Sequence, residues 1–150
     1  TVDASLYEDI FKLINPHIVN RIDYSMNKDK KTEQEALQLE LLKPETTKEI
    51  TRMLVNVVDN YGEGSYKLNN YSIAGKTGTA QVADLVNGGY YKNQHTHSFF
   101  GYFPAYQPKF LIYLYVKNPK GALYASQSVL PVFMENAKFL LNYYEVAPDR

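Results

Sequence analysis

Apolar residues recur at helical spacing in some stretches and at alternate positions in others, and this pattern divides the chain into helices and strands. Asp3 caps a predicted short helix over Ala4–Ile14, with Leu6, Ile10, Leu13 and Ile14 on one side and Asn15-Pro16 ending it. His17–Tyr24 reads as a strand. Asn27–Glu35 carries Lys28, Asp29, Lys30 and Lys31, a charge run expected in a solvated loop. Ala36–Leu42 alternates Leu37, Leu39 and Leu41 with Gln38 and Glu40, as a half-buried strand does. A helix from Thr46 or Thr47 to about Asn60 presents Ile50, Met53, Leu54, Val57 and Val58 as a core-facing stripe. Tyr61-Gly62-Glu63-Gly64 then supplies a glycine stop, with Glu63 at the surface.

The second half reads as a sheet closed by a helix. Tyr71–Gln81 is a strand, Val82–Gln94 a loop with the turn signal Asn87-Gly88-Gly89, and Thr96–Phe103 a further strand. Pro104–Pro108 connects it to a strand over Phe110–Val116, which is apolar on both faces and so is expected to be covered on both sides. A last helix starts at Ser126 or Ser128 and runs to about Tyr144. Its predicted buried stripe is Val129, Val132, Phe133, Ala137, Leu140 and Leu141, and Pro131 fits if it lies in the first turn. These elements predict one domain of mixed α/β (α+β) class: a mostly antiparallel sheet flanked by helices.

One stretch does not behave as ordinary sheet. Ala74-Gly75-Lys76-Thr77-Gly78-Thr79-Ala80-Gln81 puts two glycines in a strand, where glycine gives no packing and costs backbone entropy. Their presence implies that something lies close against this backbone. Lys76 supplies a cation, and Thr77 and Thr79 supply hydroxyls on one face, because strand side chains alternate with period two. Such a strand suits an extended ligand ending in a carboxylate. Gly75-Lys76-Thr77 is also the tail of a phosphate-binding loop, but that loop needs a glycine where Asn70 stands and a helix where Gly78 interrupts. A polar edge strand with an incidental Lys-Thr-Gly triplet is the plain alternative. The surrounding sequence decides.

Composition narrows the classes. The 150 residues, 45% hydrophobic and 21% charged, are enough for a globular core. Sixteen basic and sixteen acidic residues cancel, which removes the electrostatic footprint of nucleic-acid binding. The chain contains no Cys, so thiol catalysis, Cys-based metal sites and disulfides are excluded. No apolar run has the length of a membrane span, and the first residues lack a signal pattern, so an anchor is expected outside this chain.

The Lys76-Thr77-Gly78 strand with its Thr79-Ala80-Gln81 extension resembles the third motif of penicillin-binding proteins, in the form found in class B transpeptidases. Ser98-Phe99-Phe100-Gly101-Tyr102-Phe103-Pro104-Ala105 is similar to their Ser-Phe-x-Gly-x-x-Pro-Ala stretch. Asn118-Pro119, Pro131-Val132-Phe133 and Ala147-Pro148-Asp149 also fit, the last resembling the division-type branch. The resemblance covers roughly residues 16–150. It implies the carboxy-terminal part of a peptidoglycan D,D-transpeptidase domain, a target of β-lactam antibiotics, on a partial penicillin-binding or serine β-lactamase-like fold. Implied partners are peptidoglycan stem peptides, the upstream half of the domain, which would dock on exposed apolar surface, and other cell-wall synthesis proteins. No cofactor, metal or nucleic acid is implied. The implied location is the extracytoplasmic (periplasmic) face of the membrane. A serine β-lactamase or β-lactam sensor, and a non-catalytic interaction module, share the strand and remain alternatives.

The resemblance implies the following roles, residue by residue along the motif. Lys76 brings positive charge to the substrate carboxylate and the proton-transfer network, and Thr77 and Thr79 hydrogen-bond that carboxylate. The Thr79 backbone N–H is one oxyanion donor. Gly78 permits close approach, and Gly75 seats the strand against its neighbour. Ser98 and Gly101 are structural near the site. The nucleophile is missing. Ser25-Met26-Asn27-Lys28 matches the family's Ser-x-x-Lys, but seven serines and thirteen lysines make about half such a match expected by chance. It also lies in a charged loop with no helix following, and Ser25 cannot serve both as nucleophile and as the hydroxyl of the second motif. The attacking serine is therefore expected outside this chain. His95 and His97 lie two apart, but with no third ligand nearby they read as a strand-edge or loop pair.

Overall fold

A computed structural model of the chain describes residues 42–150, together with the strand segments Lys12–Leu13, Arg21–Ile22, Lys30–Lys31 and Leu37–Glu40. The chain divides into two compact units, Thr1–Lys48 and Glu49–Arg150. In the first, β1 (Lys12–Leu13) pairs antiparallel with β4 (Leu37–Glu40), and β2 (Arg21–Ile22) with β3 (Lys30–Lys31). Two sequence expectations change here. Lys12–Leu13 is strand where a helix was expected, and Lys30–Lys31 is strand where a solvated loop was expected, because ladder pairing overrides weak local preference. Ser25 and the rest of the predicted Ala4–Ile14 helix lie outside the described residues.

Helix α1 (Pro44–Asn60) begins earlier than expected, since proline at a first helical position loses no intrahelical donor. Its fully buried residues are Val55 and Val58, and Leu54 and Val57 are half-buried. Ile50 and Met53, expected in the core, are exposed, Met53 by 54%. The helix is rotated so that Thr51 faces the sheet, where its hydroxyl meets Tyr102 Oη at 2.9 Å. A 3-10 turn at Tyr61–Gly64 follows, with positive φ at Gly62 and Gly64.

Strands β5 (Ala74–Ala83), β6 (Tyr90–Phe103) and β7 (Phe110–Lys117) form an antiparallel sheet with β6 in the centre. The expected loop Val82–Gln94 is mostly hairpin, and only Asp84–Gly89 turns. The Asp84 carboxylate accepts the Val86 and Asn87 backbone N–H groups at 3.0 Å each. Those bonds, the Asn87 one first, hold its pKa below the usual carboxylate value.

Helix α2 (Ala125–Tyr143) covers one face of this sheet. Val129, Leu130, Phe133, Met134, Ala137 and Leu141 are its buried stripe, so Leu130 and Met134 take the places expected for Val132, which is exposed, and Leu140, which is half-buried. Because the helix starts at Ala125, Pro131 sits inside it and not in its first turn. The Phe133 ring packs 4.5 Å from Phe99 and 5.8 Å, edge-on, from Phe103. Glycine makes the fit possible: a Cβ on Gly101 would lie 2.5 Å from Phe133 Cζ, and one on Gly75 2.5 Å from Phe99 Cζ.

The expectation that Phe110–Val116 is covered on both faces is met on one face among the described residues. Phe110, Ile112, Leu114 and Val116 are half-buried towards the α2 core, whereas Leu111, Tyr113 and Tyr115 are 64%, 59% and 67% exposed. Among the described residues β7 is a sheet edge and nothing covers that second face.

The last residues fasten the segment entering β5. Tyr71 Oη donates to Val146 O at 2.7 Å, and the buried Ser72 donates its N–H (2.7 Å) and its hydroxyl to the Asp149 carboxylate. Arg150 spans both oxygens of Asp59 at 2.6 and 2.8 Å and donates to Leu68 O.

Candidate functional site

Strand register decides what the motif can present. Gly75, Thr77 and Thr79 pair with Gly101, Phe99 and His97, on the face turned to α2. Lys76, Gly78 and Ala80 pair with Phe100, Ser98 and Thr96, on the opposite face. The two hydroxyls thus share one side of β5 and Lys76 occupies the other. Lys76 and Thr79 are exposed, Thr77 and Gly78 half-buried, and Gly75 buried. None of the polar three is sealed in the interior.

Among the described strands β5 is paired on one side only, by β6. Its other edge keeps main-chain N–H and C=O groups that an extended peptide can use. Lys76 Nζ rests on Thr77 O at 2.8 Å, an exposed contact between neighbours that a ligand anion can replace.

Each hydroxyl is held from behind. Thr77 Oγ1 lies 2.8 Å from Tyr61 Oη, at the end of α1. Thr79 Oγ1 accepts the N–H of Ala125, the first residue of α2, at 3.2 Å. A threonine hydroxyl has one donor and two acceptor positions, so Thr79 keeps its own O–H for a ligand oxygen. The helix start also brings partial positive charge to the same place. Neither anchor was read from the sequence. Tyr61 stood there only as part of a helix stop, and Ala125 carries no polar side chain to notice.

Gly78 faces Ser98, whose Oγ would lie 2.5 Å from a Cβ placed there. Ser98 and Gly101 lie on the paired strand β6, Ser98 against Gly78 and Gly101 beneath Phe133. The histidines depart from expectation. His97 is fully buried on the central strand, not at an edge or in a loop, and its Nδ1 meets Ser128 Oγ at 2.8 Å. His95 shares its face with ring centroids 6.3 Å apart. Among the described residues no group of three or more His, Cys, Asp or Glu is placed to hold a metal. A cavity of about 230 Å³ is lined by Leu68, Tyr71, Lys138 and Leu141 with three asparagines, and no motif residue contributes to it.

The family described as penicillin binding protein transpeptidase domain matches residues 3–136. Stage V sporulation protein D of Bacillus subtilis (strain 168) is 34% identical over 113 residues, which cover 74% of this chain and 17% of that protein. The probable peptidoglycan D,D-transpeptidase PenA of Neisseria flavescens is 31% identical over 112 residues, 73% of this chain and 28% of that protein. This chain therefore spans less than a third of the length of either relative. Among solved structures, penicillin binding protein 3 from Mycobacterium tuberculosis complexed with aztreonam superposes with a TM-score of 0.77 at 21% identity, covering 97% of this chain and 34% of that one. That likeness concerns the fold.

Proposed function

Because the chain belongs to the penicillin-binding protein transpeptidase domain family, we propose that it is the carboxy-terminal part of a peptidoglycan D,D-transpeptidase of the class B, division type. The observation that carries this reading is the exposed edge strand β5, with Lys76 on one side and two back-anchored hydroxyls, Thr77 and Thr79, on the other.

The reaction divides into two acyl transfers. A serine supplied by a part of the protein outside this chain attacks the carbonyl between the last two residues of a D-Ala-D-Ala stem. The peptide bond breaks, D-Ala leaves with a proton, and the stem remains as an ester on the serine. An amine of a second stem then attacks that ester, forms the cross-linking amide and frees the hydroxyl. A serine hydroxyl is a weak nucleophile and needs a base beside it, which also lies outside this chain.

This chain supplies binding and charge. The stem lies along β5 as an added strand, held by main-chain hydrogen bonds. Thr77 and Thr79 donate to its terminal carboxylate; a hydrogen bond to a charged group is worth ~1.5–3 kcal/mol. Lys76 adds positive charge, and the Thr79 N–H is one donor to the carbonyl oxygen as it becomes an oxyanion. Gly78 keeps the strand bare for close approach. β-Lactams lie along the same strand edge and acylate the same serine. The rest of the domain covers Leu111, Tyr113 and Tyr115, and the domain works at the extracytoplasmic face of the membrane, anchored by another segment and alongside other cell-wall synthesis proteins.

The test uses the whole protein that contains this chain, a D-Ala-D-Ala stem peptide and an amine-bearing acceptor stem. The expected products are free D-Ala and a cross-linked dimer in equal amounts by mass spectrometry. D-Ala release without dimer, or rapid repeated hydrolysis of penicillin, would contradict the transpeptidase reading.

A further inference from the structure

Two polar side chains are buried among the described residues: Ser72 is satisfied by Asp149, and His97 has no part in the scheme above. His97 is 0% exposed and sits on the central strand directly across from Thr79, on the same face. A polar ring buried away from water is costly unless its hydrogen bonds are made. Its Nδ1 is bonded to Ser128 Oγ at 2.8 Å, while Nε2 has no partner among the described residues. An aromatic or aliphatic residue would fill this place without that cost, so packing alone does not account for a histidine.

The partners of His97 supply the account. Ser128 stands in the first turn of α2, one turn from Ala125. The Ala125 N–H is one of the helix-start donors that has no intrahelical acceptor, and it bonds to Thr79 Oγ1. A ring of contacts therefore closes: Thr79 to His97 across the ladder, His97 to Ser128, Ser128 along one turn to Ala125, and Ala125 back to Thr79. Thr79 is otherwise an exposed threonine with several hydroxyl rotamers open to it. The Ala125 N–H selects among them, and Ser128–His97 sets where that N–H stands.

We propose that His97, acting through Ser128, is a positioning residue that seats the first turn of α2 so that the Thr79 hydroxyl is aimed at the substrate carboxylate. This rests on the proposed function of β5. It differs from a packing role in what it predicts. Loss of the His97–Ser128 bond weakens recognition of a carboxylate and leaves the acylation chemistry itself intact.

The experiment measures second-order acylation of the whole protein by a β-lactam with a free carboxylate and by its methyl ester. Ser128→Ala and His97→Phe should slow the free-carboxylate probe roughly 10-fold, the worth of about one hydrogen bond, and the ester less than about 2-fold. His97→Asn, whose amide can occupy the position of Nδ1, should restore most of the loss. In a Thr79→Val background Ser128→Ala should add nothing, because the group being positioned is gone. If His97→Phe does not fold, Ser128→Ala removes one oxygen and still decides the matter. Equal slowing of both probes, no slowing of either, or additivity with Thr79→Val would overturn the positioning role while leaving the transpeptidase reading in place. A wild-type protein that neither probe acylates overturns both.

Discussion

Lys76→Ala in the whole protein is expected to lower the penicillin acylation rate roughly 100- to 1000-fold, the loss typical of removing one preorganised electrostatic group, with almost no change in melting temperature. Lys76 is exposed and among the described residues its ammonium bonds the carbonyl of its own neighbour, so no buried bond is lost. Surface substitutions of that kind usually stay within about 0.5 kcal/mol. The rate is different, because the cation lies on the open edge strand where an incoming carboxylate would settle. Lys76→Arg keeps the charge but replaces a compact ammonium with a planar fork, so it should recover only part of the rate. Stopped-flow acylation beside a thermal melt reads both quantities. A Lys76→Ala protein acylated within a few-fold of wild type would remove Lys76 from the site.

Phe133→Ala should do the reverse and act on stability first. The ring is fully buried, meets Phe99 and Phe103, and fills the space that Gly101 leaves by having no side chain. Truncating a buried phenylalanine costs about 3–5 kcal/mol, part of it from the cavity left behind. For a domain of this size that is a fall in melting temperature of roughly 6–20 °C. Val132→Ala is the control on the same helix: Val132 is exposed, and its loss should be close to neutral. Equal effects from the two would mean that α2 packs on a different face from the one described.

The contrast between those two neighbours shows what was legible in the sequence. Helical spacing found α2 and named Phe133 and Ala137 correctly, but could not resolve a rotation that buries Leu130 and Met134 in place of Val132 and Leu140. The same uncertainty exchanged Val55 for Met53 on α1. Alternation placed Thr77 and Thr79 on one face of β5 because a period of two leaves no freedom. It missed the start of β6, since Tyr90–Gln94 is mostly exposed, where no apolar alternation is needed. For β7 the two apolar faces were read correctly, and among the described residues one of them is covered, because covering depends on what else packs there and not on the strand's own pattern.

The candidate site was legible where it is written in one stretch and illegible where it is assembled from several. Lys76, Thr77, Gly78 and Thr79 announce themselves by residue type and spacing. Tyr61, Ala125, Ser128 and His97 lie between 16 and 46 positions from the hydroxyls or ring atoms they serve, and nothing in their local sequence marks them. His97 was visible only as one of two histidines at strand spacing, which read as a strand-edge or loop pair and not as metal ligands.

The central claim is that this chain holds the carboxylate-binding strand of an acyl-transfer site whose attacking serine is elsewhere in the protein. Mapping a fluorescent penicillin adduct on the whole protein by peptide mass spectrometry tests it most directly. The account predicts one labelled serine, in a Ser-x-x-Lys sequence outside these 150 residues, and no label on Ser25. An adduct at Ser25, or a whole protein that takes up no label at all, would contradict it.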